Sequence, residues 1–266
     1  MKVGVVMIDK KDIIADMHTH TIASKHAYST INENIYAAKL NGLKYLAVTD
    51  HYYGNGDAIE KKNEVTRIRF IENNVKPAGL TLIGGCEFNL CQRIENDYIE
   101  KLNQLRWRPI GLHTWFVNFD DPNFNLNSVY NYFVMAYKRD KHNAFCHIER
   151  EIFKIRDSDI DKDTGLGKKV TDFYVNLVDF AVSNGILLEV NESSLISNEF
   201  NAKNRMLFWI KYAKEKGANI YLGSDAHWSE SVGNFDNVLQ LLNSLDYPKD
   251  KILNCNEDML IETLGF

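Results

Sequence analysis

Seven short apolar runs shape this chain, and six of them lead directly into a histidine, aspartate or glutamate. Ile13 to Met17 runs into His18 and His20, and Lys44 to Val48 into Thr49-Asp50-His51. Leu80 to Ile83 runs into Gly84-Gly85-Cys86-Glu87, Arg108 to Ile110 into Gly111-Leu112-His113, and Ala144 to Cys146 into His147. Gly185 to Val190 runs into Asn191, and Asn219 to Leu222 into Gly223-Ser224-Asp225-Ala226-His227. Runs this short suit buried strands. Amphipathic stretches lie between them: Ile31 to Leu40, Val129 to Lys138, Lys169 to Ser183 and Arg205 to Glu215. Gly42 and Gly217 suit helix ends. Strands alternating with helices imply a parallel sheet with helices outside it. The expected fold is therefore α/β, a barrel-like (β/α)7 form in a single domain over residues 1–266. Residues 1–12 would be an N-terminal extension. The segment 234–266 would supply closing helices, Asn237 to Leu245 and Glu257 to Leu264. Arg156 to Lys169 reads as a solvated loop.

Composition narrows the setting. The 266 residues are 45% hydrophobic, enough for a full core, and four cysteines without a CxxC pair read as reduced. Apolar stretches fall short of a membrane span, so a soluble, cytoplasmic protein with no membrane partner is expected. A net charge of −5 without a basic tract gives no support to a nucleic-acid surface.

In parallel barrels the C-terminal strand ends form the face where active sites are built. Six of the eight histidines fall on such ends, His26 lies a few residues past the first, and His142 is left out. His18 and His20 are two residues apart, so on a strand both imidazoles point to one side. Asp16 shares that side and would stand behind them as a supporting carboxylate. Asp225-Ala226-His227 repeats the spacing on the last strand. Each residue alone has a structural reading, Asp225 as a helix cap for instance. Together they would crowd one barrel mouth with ionisable groups whose desolvation is costly without a partner. A metal cation supplies that partner.

The run from Asp16 to His51, DMHTHTIASKHAYSTINENIYAAKLNGLKYLAVTDH, resembles the opening of the PHP (polymerase and histidinol phosphatase) domain family. GCEFNL around Glu87, IGLHTW around His113, AFCHIE around His147, LLEVNESS at 187–194 and LGSDAH at 222–227 follow in that family's order. The likeness is greatest to small stand-alone bacterial phosphatases. It implies a distorted (β/α)7 barrel with three divalent metal ions, zinc foremost, manganese or iron as alternatives. By motif, His18, His20, Asp225 and Glu87 would hold the first metal. Glu87 would bridge to a second metal on His113 and His147. His26, His51 and His227 would hold the third. Asp225, Glu87 and His227 are expected to carry the catalysis. The sequence departs from the family pattern after His147, where Ile148-Glu149-Arg150 follows, and at Glu192.

The implied function is hydrolysis of a small-molecule phosphate monoester through a metal-activated hydroxide, with histidinol phosphate one candidate. Two other metal hydrolases remain alternatives: an amidohydrolase-like enzyme and a PHP-type nuclease or phosphodiesterase. A non-enzymatic metal-binding protein is a further rival. Arg150, three residues past His147, is the candidate phosphate-binding residue, with Lys25, Arg67 and Arg69 as lesser ones. The loop from Ile148 to Lys169 is expected to shape the leaving-group side. Oligomeric state and natural substrate are not readable from the sequence.

Overall fold

The computed structural model describes residues 7–52, 67–90, 105–113, 118, 121, 123–140, 142–155, 166–197 and 201–266. Eight strands are present among them: β1 Ala15–Asp16, β2 Tyr45–Val48, β3 Thr81–Gly84, β4 Phe88–Asn89, β5 Pro109–Gly111, β6 Ala144–Phe145, β7 Leu187–Asn191 and β8 Ile220–Gly223. Every paired neighbour is parallel, in the orders β1-β2-β3 and β4-β5-β6-β7-β8.

Hydrogen bonds cross both seams between the two groups. At one, Gly85 N donates to Val48 O at 3.0 Å and Cys86 N to Trp107 O at 3.1 Å. The third expected strand is thus one run bent at 85–87, which is why eight short strands stand where seven were read. At the other seam, Asp225 N donates to His18 O at 2.8 Å and His20 N to Ala226 O at 2.9 Å, with a parallel bridge between Thr19 and Ala226.

Side-chain alternation along the strands gives the same distorted (β/α)7 barrel. Ala15, Met17, Ala47, Ile83, Trp107, Ala144, Leu187 and Tyr221 form one buried cluster inside it, closed by Leu253, Leu260 and Leu264. Their strand neighbours Leu46, Leu82, Ile110, Phe145, Leu188 and Leu222 pack outward into a second cluster with the helices. Trp107 fills the interior, and its indole N–H donates to Met17 O at 2.8 Å.

The helices are α1 Ile31–Leu40, α2 Leu126–Met135, α3 Lys168–Asn184, α4 Glu192–Ile196, α5 Ala202–Glu215, α6 Asp236–Ser244 and α7 Glu257–Leu264, with residues 67–74 also helical. Thr30 and Glu33 form a capping box that starts α1. Gly42 and Gly217 follow helix ends at φ +72° and +67°, as their spacing implied. Gly185, read as the first residue of a strand, instead ends α3 at φ +66°, and β7 begins at Leu187. Of the N-terminal extension, Ile8 is tied to Asn243 of α6 by two hydrogen bonds. Much of the expected loop from Arg156 to Lys169, residues 156–165, lies outside the described residues. No helix among them is long and apolar enough to cross a membrane.

Candidate metal centre

The strand ends deliver their polar residues to one buried mouth. His18 Nδ1 lies 2.7 Å from Glu189 Oε1, and a carboxylate oxygen can only accept, so Nδ1 carries the proton. Ser24 Oγ donates to Asp50 Oδ1 at 2.7 Å and therefore accepts from His20 Nδ1, 2.9 Å away. In its neutral form each imidazole would then present an Nε2 lone pair. Those two atoms face each other at 3.1 Å. Glu87 Oε2 lies 3.2 Å from the first and 3.3 Å from the second. Asp225 Oδ1 lies 3.6 and 3.2 Å from them. Four acceptors converge, and Glu87 Oε2 has no hydrogen-bond partner among the described residues. Such a set needs positive charge at its centre. Protons supply it in the metal-free chain. Burial opposes them, yet Glu189, Glu87 and Asp225 lift His18 well above the usual range. The carboxylates of Asp225 and Glu87 likewise lift His20 to about 9. A divalent cation fits the same place.

Glu87 turns its other oxygen elsewhere. Oε1 lies 2.6 Å from His147 Nε2 and 2.9 Å from His113 Nε2, while Oε2 is also 3.1 Å from His51 Nδ1. Burial would raise its carboxyl, but His51, His18 and His113 hold it well below the usual range. Burial keeps His51, His147 and His227 low, His227 at about 4, so all three are neutral near pH 7. His227 Nδ1 donates to Asp225 O at 2.9 Å and leaves Nε2 for a ligand. Among the described residues donor atoms converge in five groups: His18, His20 and Asp225; His18, Glu87 and His147; His51, Glu87 and His113; His20, His51 and His227; and His18, Cys146 and Glu189. Eight of the nine expected ligands belong to them. His26 does not; its exposed ring stacks beside them, 5.0 Å from His51 and 4.6 Å from His227 between centroids.

Supporting residues differ from the reading of the sequence. Asp16 does not stand behind the imidazoles. Its Oδ1 accepts from Ser224 N at 3.1 Å and His18 N at 3.3 Å, and its Oδ2 from Gly233 N at 2.9 Å, so it fixes backbone around the seam. The carboxylate on the imidazole is Glu189, which the sequence reading did not single out. Leu187 faces the barrel interior, and Glu189, two residues on, shares that side nearer the mouth. A charged residue within the apolar run LLEVN was the available signal. Glu189 Oε2 also accepts from His147 N at 2.8 Å. Gly223 makes room for it: a Cβ there would collide with the Glu189 carboxylate and come within 2.6 Å of His18 Cβ.

Arg150 does reach the mouth. Its Nη1 lies 2.7 Å from Asp225 Oδ2, its Nε donates to Ser194 Oγ at 2.9 Å and its Nη2 to Ser193 Oγ at 2.8 Å. Its guanidinium nitrogens are engaged with these protein groups. Arg67 pairs with Asp50 at 2.8 Å. Glu192, where the sequence departs from the family pattern, accepts from Asn237 N at 3.1 Å and Val238 N at 2.8 Å, anchoring the start of α6. His142 Nδ1 donates to Arg108 O at 3.0 Å and the ring packs on Phe88, outside the mouth as its place in the sequence implied. His147 at φ +28° and Asp225 at φ +54° hold left-handed backbone, strain of the kind found where side chains must be aimed. Beside Asp225 and His227 a cleft of about 260 Å³ opens between α4 and the segment 228–234.

A parallel barrel with histidines and carboxylates gathered at its strand ends defines a metal-hydrolase architecture. The PHP domain model matches residues 16–193, more than half of the chain, which belongs to the PHP domain family. A Shewanella sp. (strain MR-4) protein named probable phosphatase is 32% identical over 253 residues, covering 94% of this chain and 90% of that protein. One of the same name from Clostridium acetobutylicum is 28% identical, with 94% of both chains covered. Among solved structures, histidinol phosphate phosphatase from Lactococcus lactis, complexed with zinc, L-histidinol and phosphate, shares the fold at a TM-score of 0.55 and 14% identity. It covers 87% of this chain and 92% of its own.

Proposed function

We infer that this chain is a metal-dependent phosphatase that hydrolyses small-molecule phosphate monoesters at a centre of three divalent cations. The observation that carries the reading is Glu87. Its two oxygens face separate sets of imidazoles, His113 and His147 on one side, His18, His20 and His51 on the other. That is the disposition of a carboxylate shared between cations. The names of its relatives support the phosphatase reading.

His18, His20 and Asp225 would hold one cation with Glu87. Glu87 would share a second with His113 and His147. His51 and His227 would hold a third, with His26 able to join from its stacked position. Bound cations supply Lewis acidity toward phosphoryl oxygens and lower the pKa of water from 15.7 toward ~7. The chain's own work is positioning. Glu189 fixes the tautomer of His18, Ser24 that of His20, and the Asp225 carbonyl that of His227. Arg150 occupies Asp225 Oδ2 and so turns Oδ1 toward the imidazoles. Zinc is the first candidate, with manganese and iron compatible with the same mixed donors.

Elemental analysis of protein purified without chelator, followed by a monoester panel that includes histidinol phosphate, tests this reading. Two to three metal equivalents per chain and metal-dependent phosphate release are expected. One equivalent or fewer in a folded chain would overturn the three-cation centre, and a fully loaded chain inactive on every monoester would overturn the phosphatase.

A further inference from the structure

The cleft beside Asp225 and His227 is walled by two apolar side chains that core packing does not claim. Trp228 is 56% exposed and Ile196 63%, and both line it. Trp228 leads into the 3-10 turn Ser229–Ser231, and its indole N–H donates to Ser231 Oγ at 2.6 Å, so the ring is held in place. Scattered apolar residues on a surface need no explanation, but two on one cleft beside a cluster of ionisable groups mark a place for a ligand.

The remainder of the lining says which part of a ligand. Ser193 and Asn234 contribute polar groups, Glu192 a carboxylate, and no lysine or arginine among the described residues lines the cleft. Among these described lining residues a phosphate finds no cationic side chain. It must lie on the ligand cluster, which leaves the cleft for the alcohol portion of the ester.

We propose that this cleft is the leaving-group subsite, and that Trp228 with Ile196 selects esters of alcohols carrying an uncharged planar ring, aromatic or heteroaromatic, over small aliphatic ones. The proposal rests on the phosphatase reading above and gives that site its substrate class. Glu192, with no lysine or arginine among the described lining residues, disfavours alcohols that carry a second phosphate.

The test uses the metal-loaded full chain and two esters with leaving alkoxides of similar basicity, 2-(2-naphthyl)ethyl phosphate and propyl phosphate. Wild type should favour the naphthyl ester about ten-fold in kcat/KM, mostly through KM, because ring contact with the indole adds to burial of apolar area. Trp228→Ala should lose most of that preference and leave propyl phosphate within about two-fold, whereas Trp228→Phe should keep most of it. A preference unchanged by Trp228→Ala, or an equal loss on both esters, overturns the subsite. Should wild type hydrolyse neither ester, the phosphatase reading is decided by the monoester panel above. The subsite is then judged by calorimetry with 3-(2-naphthyl)propylphosphonate. Its Kd should rise about ten-fold in Trp228→Ala. No binding to wild type, or an unchanged Kd, overturns it independently.

Discussion

His18 donates its Nδ1 proton to Glu189 Oε1 across 2.7 Å, with both side chains sealed from solvent. That single bond decides which imidazole nitrogen faces the cluster. Glu189→Gln keeps the volume and removes the charge. Loss of a carboxylate behind a ligating histidine costs about 10- to 100-fold in metal affinity. Competition against a chromophoric chelator should show that loss in a folded variant. Unchanged affinity would leave Glu189 as a mere packing group.

Arg150 and Asp225 form the second dependency. Burial would raise the Asp225 carboxyl, but Arg150 and then His18 hold it well below its usual range. Arg150→Ala leaves that carboxylate short of its cation, a change that costs about 3 kcal/mol for buried pairs. Denaturant unfolding of the metal-free variant should register it. In the loaded enzyme kcat and metal retention should fall while KM changes little. A raised KM with kcat and metal content intact would return Arg150 to the phosphate.

The pH dependence of the metal-free chain has a definite sign. Burial works against a charged His20, but Asp225 and Glu87 lift it from 6.5 to about 9. A group with a raised folded pKa gives stability that is fully present below its unfolded pKa and is lost as pH rises through the folded one. The Tm of chelated protein should therefore decline between about pH 6.5 and 9. Loading zinc at about pH 7.5 must displace these protons, which calorimetry in buffers of different ionisation enthalpy would detect. A flat Tm and no proton release would mean that His18 and His20 are already neutral.

Glu192 accepts two backbone N–H groups at the start of α6, from Asn237 and Val238. Glu192→Ala should cost about 1 kcal/mol, a Tm lower by about 2–4 °C. An unchanged Tm would show that water replaces the carboxylate.

The strand ends were legible because one periodicity and one residue class coincide there. Six of the seven apolar runs lead into a ligand-type residue, and the barrel face follows from that. The bend at 85–87 was not legible, since Gly84-Gly85 reads equally as a strand end and as a bend within a strand. Asp16 misled because spacing reports which side a residue faces, not what arrives opposite. Residues 224 and 233 bring N–H groups to it from the far end of the chain. Arg150 was correctly placed near the mouth, but its partners come from β7, α4 and the turn after β8, which no local pattern encodes. Trp228 drew no notice because an exposed indole is ordinary until a cleft is seen beneath it.

The seam between the first and last strands carries a consequence for assembly of the molecule. Ser224 meets the His18 carbonyl across 206 residues of sequence. During synthesis, His18 and His20 leave the ribosome long before Asp225 and His227, and the pair has no complete cation cage in the interval. Contacts this distant in sequence form late and slowly. A cation bound by His18, His20 and Asp225 would act as a latch on the finished ring, tying the two ends of the chain by ligand bonds. Metal starvation would then shorten the lifetime of the fold as well as its activity, because the ring would reopen at the seam where it last closed.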